Sequence, residues 1–93
     1  MPAKEVIWLP VVREKLLTFR NERFTAEETM EFIVNLIVEV EEFLKNGILD
    51  RAYTEKFGAY QGLSRIVMRR FRIYFERDND RIIVLAIVFP GEE

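Results

Sequence analysis

The sequence predicts an α+β domain: a hairpin of two helices packed on one face of a small, mostly antiparallel four-stranded sheet, in the order β-α-α-β-β-β. Three observations predict it. Residues 26–46 carry apolar side chains at helical spacing behind a capping sequence. Residues 63–89 hold three runs rich in β-branched and aromatic residues, separated by turn formers. A short apolar run, residues 4–9, opens the chain and is stopped by Pro10. Two helices on one face leave the other face of the sheet open for function.

Lys4–Leu9 reads as a strand whose apolar content is Val6, Ile7 and Trp8, with Trp8 in the core. Pro10 suits the first turn of a helix, where its missing N–H costs nothing. Val12, Leu16 and Phe19 follow near helical spacing and predict a first helix over residues 11–22. Thr25-Ala-Glu-Glu28 is a capping box: the threonine hydroxyl accepts from the N–H three residues on, and Glu28 reaches back to the Thr25 N–H. Glu27 and Glu28 also complement the positive end of the helix dipole. The second helix is expected over Ala26–Asn46, with Gly47 as a left-handed cap. Its apolar face is wide, from Met30 through Val34 and Val38 to Phe43 and Leu44, and its polar stripe is narrow. A helix packed on a single neighbour needs less apolar surface than this. The surplus has two readings, ordinary core or an interface with another chain.

Ile48–Gly62 reads as a connection, with a turn of helix or a short strand near Ala52–Phe57. Strands are expected over Leu63–Met68, Phe71–Glu76 and Arg81–Phe89, joined by tight turns at Arg69-Arg70 and Asp78-Asn79-Asp80. The last strand is apolar on both faces, which fits a central strand or one that a partner covers. Pro90 and Gly91 end it.

The length, 93 residues, points to one domain spanning residues 1–93. Cysteine and histidine are both absent, which removes disulfides, thiolate metal sites and the commonest general base near neutral pH. No metal and no cofactor is expected. No apolar run is long enough to span a bilayer and no leader precedes the first strand, so a cytoplasmic location without membrane contact is expected. Net charge is −2 but uneven: residues 1–50 hold six basic and ten acidic groups, residues 51–81 eight basic and four acidic. A uniformly basic nucleic-acid binder is excluded, while a basic face on an acidic body is allowed.

That basic face centres on Leu63–Phe75. Strands rarely carry so many arginines, and guanidinium groups on a sheet suit phosphates or carboxylates. Arg65, Arg69, Arg70, Arg72 and the neighbouring Lys56 are therefore candidates for binding RNA or a partner. The plainer reading is a solvated surface with a few ion pairs. Tyr53, Tyr60 and Tyr74 are, on the plain reading, core-edge residues.

Several segments together resemble the RelE/ParE superfamily of type II toxin–antitoxin systems. Trp8-x-Pro10-x-Val12, followed by Leu16, is similar to the family's opening strand and first helix. Gly62-Leu63-x-Arg65 is similar to the start of its second strand. Arg70-Phe71-Arg72-Ile73-Tyr74-Phe75 resembles its arginine-aromatic signature, and Arg81-Ile-Ile-Val-Leu85 its final strand. The resemblance covers nearly the whole chain. It implies a toxin neutralised by a cognate antitoxin, as a heterocomplex or with a homodimer. Its target would be either ribosome-associated mRNA, cleaved by an mRNA interferase, or DNA gyrase, inhibited by binding. A toxin-fold relative without toxicity, acting as a protein-binding module, is the alternative.

For RNA cleavage, Arg65, Arg70, Arg72 and Lys56 would stabilise the charged phosphorane and Tyr74 or Glu76 would move protons. The end of the chain departs from the family. Many members finish with a histidine or tyrosine followed by basic residues, where this chain has Phe89-Pro90-Gly91-Glu92-Glu93. An acidic tail beside a phosphate would repel it.

Overall fold

The structure, a computed structural model, describes residues 5–46 and 53–92. Five strands and two helices follow one another: β1 (Glu5–Trp8), α1 (Pro10–Leu16), α2 (Ala26–Asn46), β2 (Tyr53–Thr54), β3 (Ser64–Met68), β4 (Phe71–Asp78) and β5 (Arg81–Val88). The sheet order is β1-β5-β4-β3-β2. The α+β class and the helix pair on one face match the expectation. The expected four strands do not, because Tyr53 and Thr54 add a fifth against Arg65 and Ser64. One pairing is also parallel, β1 against β5. A parallel pair needs a crossover between its strands, and the two helices lie within it.

The central place of β5, with β1 on one side and β4 on the other, accounts for its apolar character on both faces. Side-chain alternation then sorts the faces. Phe71, Ile73 and Phe75 of β4, with Ile82, Val84 and Ile87 of β5 and Ile66 of β3, form one core with Val12 and Leu16 of α1 and Ile33, Leu36, Val40 and Leu44 of α2. Both helices therefore cover the same side of the sheet. Trp8 is buried in this core, and its indole N–H donates to Glu41 of α2 at 2.8 Å.

The capping box forms as predicted. The Glu28 N–H donates to the Thr25 hydroxyl at 3.1 Å, and the Thr25 N–H to the Glu28 carboxylate at 2.8 Å. α2 covers the expected span, though the expected cap at Gly47 lies outside the described residues. Its surplus apolar stripe, Met30, Val34 and Val38, is exposed.

α1 is shorter than residues 11–22. It ends at Leu16 because the next N–H groups fall back on carbonyls three residues earlier, Thr18 on Lys15 and Phe19 on Leu16, and the Thr18 hydroxyl also takes the Lys15 carbonyl. Leaving the helix there turns Phe19 into an aromatic cluster, 5.1 Å from Phe71 and 5.3 Å from Phe89 between ring centres. At this same end, α1 borders β5, where Lys15 donates to the Ile87 carbonyl at 2.7 Å.

Candidate functional site

The face of the sheet opposite the helices is built from the alternate residues. Register places Arg65 of β3 beside Tyr74 of β4, and Val67 beside Arg72. Tyr53 of β2 stands beside Arg65 on the other side. After β2 the ladder continues for one more step: the Glu55 N–H donates to the Leu63 carbonyl and the Gly62 N–H to the Glu55 carbonyl, both at 2.8 Å. Two residues beyond Tyr53, Glu55 therefore points to the same face. Gly62 closes the loop with φ +90°, a left-handed backbone that suits glycine.

Glu55 is the hub of this face. Its Oε2 accepts from Arg65 Nη1 at 3.1 Å and from the Tyr74 hydroxyl at 3.0 Å. The pair is largely withdrawn from water, with side-chain exposures of 24 % for Arg65 and 15 % for Glu55. Aromatic rings hold the geometry. The Arg65 guanidinium lies 4.3 Å from the Tyr53 ring centre, and Tyr60, carried by the returning loop, stacks on Tyr74 at 4.4 Å. Arg65 Nε is buried and has no hydrogen-bond partner among the described residues. A buried donor left unmade is costly, so this guanidinium carries unused capacity for an acceptor.

The expected candidates do not all meet here. Arg65, Tyr74 and Arg72 share the open face. Lys56 follows the hub directly and is exposed. Arg69 and Arg70 instead occupy the β3–β4 turn. Arg69 turns to the helix side, where its Nε–H donates to Glu39 of α2 at 3.0 Å and its guanidinium lies over the Phe32 ring. That bond, with the attraction of the Arg69 charge, holds the Glu39 carboxyl below its ordinary value. Arg70 stands four residues from Tyr74 along β4, about 13 Å at strand rise. Glu76, the other expected proton carrier, is exposed two residues beyond Tyr74. Of the expected acidic tail, Glu92 accepts from Lys15 at 2.7 Å and from the Phe89 N–H at 3.0 Å, which hold its carboxyl below its ordinary value, while Glu93 lies outside the described residues.

Sequence reasoning missed Glu55 as a site residue and left Tyr53 and Tyr60 at the edge of the core. The chemical content of the cluster is a carboxylate, a phenol hydrogen-bonded to it, and a guanidinium with a spare donor. A carboxylate accepts a proton, a phenol gives one, and a guanidinium binds phosphate.

Among the described residues, no helix is long and apolar enough to cross a membrane. No family model, no curated protein and no solved structure matches this chain.

Proposed function

We propose that this chain is the toxin of a type II toxin–antitoxin system, RelE/ParE-like and neutralised by a cognate antitoxin, and that it cleaves ribosome-associated mRNA on its open sheet face. The observation that carries the reading is the Glu55 carboxylate shared by Arg65 and Tyr74. In this reading the ribose 2′-oxygen attacks the adjacent phosphorus and its proton passes to Glu55. The bond from phosphorus to the 5′-oxygen breaks, and that oxygen takes the Tyr74 proton. Tyr74 then recovers a proton from Glu55 along their hydrogen bond. The products are a 2′,3′-cyclic phosphate and a 5′-hydroxyl, and Glu55 and Tyr74 return to their starting forms. Arg65, with its spare N–H, stabilises the charge that builds on the phosphorane. Arg72, two residues from Tyr74 and about 7 Å along the strand, adds a second cation.

One observation favours a second reading. Tyr74 is only 2 % exposed beneath Tyr60, so a substrate must displace the loop over residues 55–62 to reach it. A face that stays covered would act by contact alone, as a gyrase inhibitor does. Purified protein incubated with ribosomes translating a defined mRNA separates the two. The cleavage reading predicts new mRNA ends bearing cyclic phosphate, lost in Glu55→Gln and in Arg65→Ala. Uncut mRNA with blocked gyrase supercoiling would replace it with the contact reading. Uncut mRNA with unaffected supercoiling would leave a toxin-fold module that binds protein without toxicity.

A further inference from the structure

The β3–β4 hairpin closes in two residues, Arg69 at φ +52° and Arg70 at φ +72°. Both lie in the left-handed region that such a turn requires, and glycine and asparagine are the residues that adopt it readily. Two arginines there work against local preference, which calls for a role that their side chains fill.

The turn forms one rim of a groove of about 300 Å³ on the helix side of the sheet, away from Glu55. Arg20 and Asn21, from the connection between the helices, and the rings of Phe19, Phe24, Phe32 and Phe71 line it with the turn. Phe24 and Phe32 are half-buried with ring centres 5.6 Å apart, but Phe19 stacks on Phe32 and the Arg69 guanidinium lies over it, which leaves Phe24 as the ring for a ligand to stack on. The charges are unevenly spent. Arg69 is bound to Glu39 and rests over Phe32, so it is fixed in place. Among the described residues, Arg20 donates only to the Leu17 and Phe19 carbonyls and makes no ion pair. Arg70 is exposed and makes no ion pair among the described residues.

We infer that this hairpin-tip groove binds a nucleoside phosphate, its base stacked on Phe24 and its phosphate held by Arg70 and Arg20. The volume falls at the low end for small-molecule sites, as one nucleotide needs. An aromatic face beside guanidiniums that make no ion pair is the chemistry that recognises a base and its phosphate together. An acidic peptide would satisfy the cations and leave the ring unused. The inference does not rest on the cleavage reading, because the groove shares no residue with the Glu55 cluster.

The test is a titration of the ¹⁵N-labelled full chain, followed by amide chemical shifts. The probes are adenosine monophosphate, inorganic phosphate, an acidic peptide and a short single-stranded oligodeoxynucleotide. Adenosine monophosphate is expected to give saturable shifts at Asn21, Phe24, Phe32 and Arg70. Inorganic phosphate should bind at least about tenfold more weakly, since it lacks the stacking contribution. Arg70→Gly should abolish the shifts while raising Tm by about 4 °C, because glycine relieves the left-handed strain. Phe24→Leu, which keeps the groove apolar, should weaken binding by about tenfold through loss of the stacking face. An oligonucleotide that binds more tightly than the mononucleotide identifies a strand as the source, and equal binding identifies the free nucleotide. Either outcome supports the site. Inorganic phosphate or the acidic peptide binding as well as adenosine monophosphate would overturn it. So would unchanged binding in Arg70→Gly, or shifts confined to the open face around Arg65.

Discussion

Replacing Glu55 by glutamine keeps the side chain's size and removes its charge. Arg65 and Tyr74 both lean on that one carboxylate, so their contributions to stability are coupled rather than additive. Tyr74→Phe deletes one hydrogen bond and is expected to cost about 1 kcal/mol in urea unfolding. In the double variant with Glu55→Gln, the combined loss should fall short of the sum by roughly 0.5–1.5 kcal/mol. Strict additivity would mean that Glu55 and Tyr74 are not coupled. The arginine and the tyrosine were legible in the sequence because they stand in two recognisable strands, β3 and β4. Glu55 was not, because it lies ten residues before Arg65 across a loop that has no periodic pattern. Reading residues 53–65 as a hairpin would have placed it: Tyr53 opposite Arg65 puts Glu55, two residues on, on the same face.

At the scale of elements, α2 was the most legible part. Its capping box and apolar spacing are local signals, and local signals are what a sequence carries most directly. α1 was misread by six residues because Phe19, at near-helical spacing from Leu16, serves the aromatic cluster after the helix has ended. The link between α2 and the β3–β4 turn is electrostatic and depends on pH. Glu39 is held below its ordinary value of 4.5 by its bond to Arg69. A carboxyl whose folded pKa is depressed stabilises the fold above its unfolded pKa, and that contribution fades as pH falls through the folded value. Comparing Tm between wild type and Glu39→Gln across pH should therefore show wild type higher at neutral pH. The gap should close as pH drops below about 4. The difference will be small, because both groups are exposed and solvent screens them. A gap that widens on acidification would contradict the bond's role.

For the whole molecule, the class and the placement of both helices on one face followed from the order of elements, and with them the existence of an open face. The parallel pairing of β1 with β5 did not, because nothing in a four-residue strand encodes which edge it joins. The arginines also divide in a way that composition could not reveal: alternation sends Arg65 and Arg72 to the open face, while the two-residue turn sends Arg69 toward α2. The molecule thus presents a cluster of carboxylate, phenol and guanidinium on one side of its sheet and a basic aromatic groove on the other. The proposal that the first of these is the toxic centre is tested most directly by induced expression in bacteria that lack an antitoxin, with growth followed over time. The account predicts that wild type arrests growth while folded Glu55→Gln, at equal abundance, does not. Unimpeded growth with wild type, or equal arrest by both chains, would contradict it.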